Sequence, residues 1–194
     1  MLTHCVELLI PAVQSDEGGA SRQSFNADQT FDYVDHSPKE HSASQRDRMS
    51  LLRLPRVFLD RICVHAEQQY PHECCGVLLG TPNADGWTVV DVVRAGNSVL
   101  DSPNNRYAIA PLELVKIMRE ARSRNLEVAG FYHSHPDHPA MWSQTDLTEA
   151  HWLGCSYLIT EVSQGRAAAT NSFHLAGTSE EDKNFIPETL EILS

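Results

Sequence analysis

The sequence predicts a single mixed α/β domain over residues 54–175, and three observations predict it. Short apolar or β-branched runs, bounded by Gly, Pro and Asn, alternate with segments whose apolar residues recur at helical spacing. Hydrophobic residues make up 41% and charged residues 21% of the 194-residue chain, the balance of a globular protein with one core. No internal repeat breaks the pattern, and no apolar run approaches the ~20 residues of a membrane-spanning helix.

The elements follow in order. Residues 14–48 are polar, rich in Ser, Asp and Gln, and without either period, so they read as disordered. Met49 opens the patterned sequence, which makes residues 1–48 a disordered or mis-called extension and Met49 a candidate true start. A helix is expected over 56–69, burying Val57, Ile62 and Ala66 and ended by Pro71. CGVLLG (75–80) reads as a buried strand, and WTVVDVVRAGN (87–97) as a second strand after the PNADG turn. RYAIA (106–110) reads as a brief strand. Pro111 then starts a helix whose Leu114, Val115, Met118 and Ala121 share one face. EVAGFYHSH (127–135) is a strand, SQTDLTEAHW a short helix, and SYLITEV and AATNSFHL a strand pair around SQGR. The folded domain is bounded at 49–176, and in the tail 177–194 the run NFIPETLEIL fits one further strand.

Charge and cysteines narrow the setting. Fifteen Lys plus Arg against 26 Asp plus Glu give a net charge of -11, which repels nucleic acid and anionic membranes as main partners. The start, MLTHCVELLIPAV, lacks a basic n-region and is interrupted by Glu7, so no signal peptide is expected. Five cysteines, Cys5, Cys63, Cys74, Cys75 and Cys155, form no even framework, and two are adjacent. Reduced thiols in a cytoplasmic protein are the expectation.

The chemistry concentrates in GFYHSHPDHPAMWSQTD, residues 130–146. His133 and His135 stand at i and i+2 on a predicted strand, so both imidazoles leave the same face and can meet one ion. A catalytic zinc takes three protein ligands and keeps one position open, and Asp146 is the candidate for the third. Ser143-x-x-Asp146 is equally a helix start of the capping-box kind, and either half of the string alone is weak. The whole string, H-S-H-P followed by S-x-x-D, is far more specific. HECCG at 72–76 tempts an H-E-x-x-H reading, which fails because its fifth residue is Gly76; Glu73 nonetheless stands just ahead of the strand 75–80. His72, His138 and His151 lie near the motif but outside its pattern, Cys74 and Cys75 read as packing residues, and Tyr132 and Trp142 as walls of a cleft or core.

Glu73 followed by CCGVLLG, then GFYHSHP, then Ser143 and Asp146, resembles the JAMM (MPN-plus, Mov34-type) zinc metallopeptidases in their compact prokaryotic form. The resemblance covers roughly residues 54–175 and matches every motif position. It implies a cytidine-deaminase-like JAMM/MPN fold, a central mixed β-sheet flanked by helices. It implies one Zn2+ on His133, His135 and Asp146 with a water as fourth ligand, Glu73 as general base, and Ser143 as donor to the oxyanion. It further implies hydrolysis of an amide bond after the C-terminal glycine of a ubiquitin-like or sulfur-carrier protein. Only nine residues separate Asp146 from Ser156, which leaves little room for the insertions of the larger deubiquitinases. Two other classes compete: a catalytically silent MPN-type scaffold, and a metallopeptidase acting on small peptides. A cysteine hydrolase using Cys74 or Cys75 is more distant. The sequence leaves the oligomeric state open, a homodimer included.

Overall fold

The computed structural model describes residues 50–194, so the expectations for residues 1–48 and for Cys5 lie outside the described residues. Seven strands and three helices follow one another as β1 (Leu51–Pro55), α1 (Arg56–Gln69), β2 (Cys75–Asn83), β3 (Gly86–Ala95), α2 (Pro111–Ser123), β4 (Glu127–Pro136), α3 (Gln144–Glu149), β5 (Ser156–Ser163), β6 (Arg166–Ala176) and β7 (Asn184–Leu193). The sheet is mixed. Antiparallel pairs β3–β2–β4 and β5–β6–β7 are joined by a parallel β4–β5 pair, and β1 runs parallel to both β3 and β7. Through β1 the sheet closes on itself in the order β1-β3-β2-β4-β5-β6-β7. That closure is the main departure from the expected central sheet with helices on its flanks. It depends on β1, a five-residue strand whose buried Leu52 and Leu54 alternate with half-exposed neighbours, too short a run to be read from sequence.

Two apolar clusters fill the two faces of the sheet. Leu52, Leu54, Leu78, Val92, Tyr132 and Leu158 pack with Ile62 and Ala66 of α1 on one face. Val77, Phe131, Tyr157, Ile159, Phe173 and Phe185 pack with Ile117 and Ala121 of α2 on the other. Val57 is 58% exposed, contrary to expectation, because α1 turns Ile62, His65 and Ala66 inward. On α2 the buried stripe runs through Ile117 and Ala121, whereas Val115 is 42% exposed. The brief strand expected at 106–110 reduces to one bridge between Asn97 and Ile109. Its backbone is occupied by side chains instead: Asn97 donates from Nδ2 to the Arg106 carbonyl and accepts at Oδ1 from the Ala108 N–H.

The parallel β4–β5 pair, which orders the site, requires glycine at 130. A Cβ there would lie 1.9 Å from the Ser156 carbonyl oxygen, a clash between two backbones with nowhere to move. No helix of the described residues is long and apolar enough to cross a membrane. Cys63, Cys74, Cys75 and Cys155 are all free thiols.

Candidate metal centre

β4 delivers the two histidines of the motif. Their rings leave the same side of the strand with centroids 4.9 Å apart, and the two Nε2 atoms face each other at 3.1 Å. The chain then turns at Asp137, whose φ is +54°, and crosses to Ser143, where α3 begins. Ser143 Oγ accepts from the Asp146 N–H at 3.1 Å while Asp146 Oδ2 accepts from the Ser143 N–H at 2.6 Å, a complete capping box. The same carboxylate points back over β4, with Oδ1 3.5 Å from His133 Nε2 and Oδ2 3.5 Å from His135 Nε2. The helix-cap reading and the ligand reading of Asp146 thus describe one conformation.

Glu73 reaches this place through long-range register. β2 pairs antiparallel with β4 so that Cys75 lies opposite His133, and Glu73 precedes it by two residues. Its segment is held on every side. The Glu73 N–H donates to the Pro103 carbonyl at 2.7 Å, and Asn97 Nδ2 donates to the Glu73 carbonyl at 3.3 Å. Ser134, between the two histidines, accepts from the Cys74 N–H on its Oγ at 2.9 Å and donates its own N–H to the Cys74 carbonyl. The Glu73 side chain is 3% exposed, and its Oε2 has no hydrogen-bond partner among the described residues. It borders a cleft of about 400 Å³ together with His135, Asn105, His138, Pro139, Met141, Ser143 and Thr145.

The electrostatics follow from burial and from these contacts. Burial pushes the Glu73 carboxyl up to about 8, with His135 opposing and Asp146 and Glu149 reinforcing. Burial lowers His133 to about 3, partly opposed by Asp146. For His135, burial works downward but is outweighed by the hydrogen bond and charge of Asp146, which raise it. Asp146 is held well below the ordinary carboxylate value: burial opposes this, but His135, His133 and the Ser143 N–H prevail.

The donor set fits a small cation. Among the described residues, His133, His135 and Asp146 form a group whose ligand atoms all lie within 4.8 Å of one another. His135 Nδ1 lies 3.0 Å from the Pro139 carbonyl, which fixes that nitrogen as the N–H and leaves Nε2 as the inward lone pair. The His133 ring is oriented instead by Tyr107, stacked on it at 4.5 Å and 24°. Two imidazoles and a carboxylate are a ligand set of catalytic zinc. The Tyr107 and Pro139 contacts carried no signal in the sequence, since neither residue type nor spacing marks them.

The other residues singled out are accounted for differently. His72 Nδ1 lies 2.6 Å from Asn104 Oδ1 and ties down the loop over Glu73. His151 is 64% exposed and pairs with Glu180. Burial raises the thiols of Cys74, to about 11, and of Cys75, the opposite of what a nucleophile needs. Tyr132 is fully within the core, its hydroxyl 3.0 Å from His65 Nδ1, and Trp142 packs on Phe185.

Residues 55–175 match the family described as prokaryotic homologues of the JAB domain. The chain belongs to this family. The resemblance first read from Glu73, H-S-H-P and S-x-x-D is thereby borne out at the level of the family. Among its relatives is a protein named desampylase from Haloferax volcanii, 36% identical over 114 residues, which span 57% of this chain and 80% of the relative. Another is a Thermus thermophilus protein named "Probable TtuB-protein conjugate cleaving protease", 31% identical over 102 residues, 53% of this chain and 65% of that one. A solution structure of a Desulfitobacterium hafniense protein superposes with a TM-score of 0.61 at 25% identity, covering 74% of this chain and 94% of that one. One from Salinibacter ruber gives 0.56 at 33% identity, covering 74% and 92%.

Proposed function

We propose that this JAB-domain protein is a zinc-dependent metallopeptidase of the JAMM type. Its substrate would be the amide bond after the C-terminal glycine of a ubiquitin-like protein, a sulfur carrier or a conjugate of one. The observation that carries the reading is the convergence of His133, His135 and Asp146 beside a buried, unpartnered carboxyl at Glu73. The names of the relatives, a desampylase and a conjugate cleaving protease, support the substrate class.

His133, His135 and Asp146 would hold the ion. A zinc ion there supplies Lewis acidity, polarising the scissile carbonyl and making water a nucleophile at neutral pH. Glu73 takes the proton from the attacking water and passes it to the leaving amine. Ser143 uses a lone pair to cap α3, so its O–H remains free to donate to the oxygen on which negative charge develops. His135 is kept in its working tautomer by Pro139, and Tyr107 keeps the His133 ring from turning away. The reduced cysteines are consistent with a cytoplasmic setting.

The test is to incubate the zinc-loaded protein with ubiquitin-like carriers and their conjugates and to read the released C-terminus by mass. Release of a carrier ending in its terminal glycine, abolished by chelation, is expected. Zinc-free protein purified without chelators, or turnover of short peptides with no preference for a folded carrier, would overturn the reading.

A further inference from the structure

The seam between β6 and β7 is incomplete. β6 runs alongside β5 over almost its whole length, from Arg166 paired with Ser163 to His174 paired with Ser156. Against β7 it pairs only from Ser172 to Ala176. From Thr189 onward β7 pairs instead with β1. Arg166, Ala167, Thr170 and Asn171 of β6 therefore carry a ladder on one side only, Ala168 and Ala169 stand in an irregularity between them, and the two strands diverge to leave a slot. The slot encloses about 730 Å³. α1 lines it with Arg56, Leu59 and Asp60, and Phe173, Leu190 and Ile192 add apolar wall.

Part of this edge is open to another backbone. Its sequence is Arg-Ala-Ala-Ala-Thr-Asn, with Ala168, Ala169 and Asn171 exposed. Exposed edges are normally blunted by Lys, Pro or a covering element, and a barrel normally removes them by closure. Here neither Lys nor Pro is present; the irregularity at Ala168 and Ala169 and the neighbouring α1 blunt part of the edge, and among the described residues one side chain reaches an edge N–H, Glu67 Oε1 accepting from Ala167 at 3.0 Å. Small side chains beside an unpaired ladder are what strand addition by an extended peptide requires.

The slot is continuous with the candidate centre. Met141, 54% exposed, lines both the slot and the cleft that holds Glu73 and His135. Asn171, on the free edge, donates from Nδ2 to the Ala140 carbonyl at 2.9 Å, tying the edge to the loop between His135 and Ser143. In register, His133 lies beside Ile159, and Ile159 beside Asn171, so the edge stands level with the ligands. On the far side of Asp146 a second cavity, about 350 Å³, is walled by Tyr107, Phe131, Trp152 and Tyr157 and does not include Glu73. Because Glu73 returns the proton to the leaving amine, the amine must lie on the Glu73 side, which is the side that opens past Met141 into the slot.

We infer that the β6–β7 slot receives, as an added strand, an extended segment next to the modified lysine in the protein that leaves as the amine product. The inference rests on the isopeptidase reading above. It assigns the slot to the target protein and not to the tail of the ubiquitin-like carrier. A substrate whose lysine lies in a disordered or extended stretch is cleaved in preference to one whose lysine lies in a helix.

Two measurements test it. The first compares a carrier joined to lysine in an extended ten-residue peptide with the same carrier bearing a small fluorogenic amine. Ala168→Trp fills the slot from an exposed position that does not line the Glu73 cleft. It should raise KM for the extended conjugate about tenfold at unchanged kcat, while hydrolysis of the fluorogenic amide stays as in the unsubstituted protein. An equal effect on both substrates, or none on either, overturns the inference. The second measurement needs no turnover. Amide hydrogen exchange of the full chain is followed with the free target peptide, with the carrier's C-terminal tail peptide, and at rising protein concentration. Protection of residues 168–171 by the target peptide alone is expected. Protection by the tail peptide, or by concentration alone as in edge-to-edge pairing of two copies, overturns it. Failure of the zinc-loaded protein to cleave the fluorogenic amide would count against the isopeptidase reading, and is separable from the exchange result.

Discussion

At Ser143 one hydroxyl carries two tasks that do not compete, because accepting the Asp146 N–H uses a lone pair and leaves the proton to donate. Ser143→Ala should therefore lower kcat about 100-fold through the lost donor, and cost the fold about 1 kcal/mol through the lost cap. Steady-state kinetics and chemical denaturation on the same protein separate the two. Glu73→Gln should keep zinc at full stoichiometry and lose turnover by at least about 100-fold, since the ligands are untouched and only the base is gone. His135→Ala should lose both, as measured by metal content after dialysis together with activity. A Glu73→Gln protein of near-normal rate would refute the assignment of the base. The residues of the string 133–146 were legible because their geometry is local. A strand period places both imidazoles on one face, and a capping box places Asp146, all within fourteen residues.

At the scale of the element, α3 is only six residues long and cannot hold its shape alone. Its start is fixed by the capping box, and its end by Lys183, whose ammonium donates to the carbonyls of Thr148 at 3.0 Å and Ala150 at 2.7 Å. That side chain is 8% exposed and is also paired with Glu180. A cation on the last carbonyls satisfies groups the helix leaves unpaired and opposes its dipole. Lys183→Met should loosen the helix that carries Asp146 and weaken zinc affinity about tenfold, with partial recovery in Lys183→Arg. Competition with a chromogenic chelator would measure it. Nothing in the sequence joins Lys183 to Asp146, which lies thirty-seven residues earlier, because the link exists only once β6 and β7 have folded back. The short 106–110 run misled for a related reason. Asn97, eleven residues away from Ala108, occupies the backbone groups that a strand partner would take.

Over the whole molecule, α1 is bound to the sheet partly through His65, 4% exposed and within hydrogen-bonding distance of Tyr132, the neighbour of His133. Burial holds His65 down at about 4, with the charge of Arg94 adding to it, against an ordinary value of 6.5. The unfolded chain takes up this proton from about pH 6.5 downward while the folded protein refuses it until about pH 4, so stability is complete above the window and is lost as pH falls through it. The loss from this one group is roughly 3 kcal/mol. Denaturation midpoints between pH 7 and pH 4 should fall less steeply in His65→Gln than in the natural sequence, and identical slopes would show that His65 is not the group responsible. Legible along the chain were the alternation of strands and helices, the two histidines on one strand face, the cap that carries Asp146, and through their combination the family. All of these rest on interactions within a few turns of chain, where residue type and spacing suffice. Long-range strand pairing decided that β1 closes the sheet and that Glu73, sixty residues before His133, lines one cleft with His135. It likewise decided that Tyr107 and Pro139 orient the rings and that β6 keeps an open edge. Those outcomes depend on which strands pair and in what register, and register is set by burying both faces of the sheet at once.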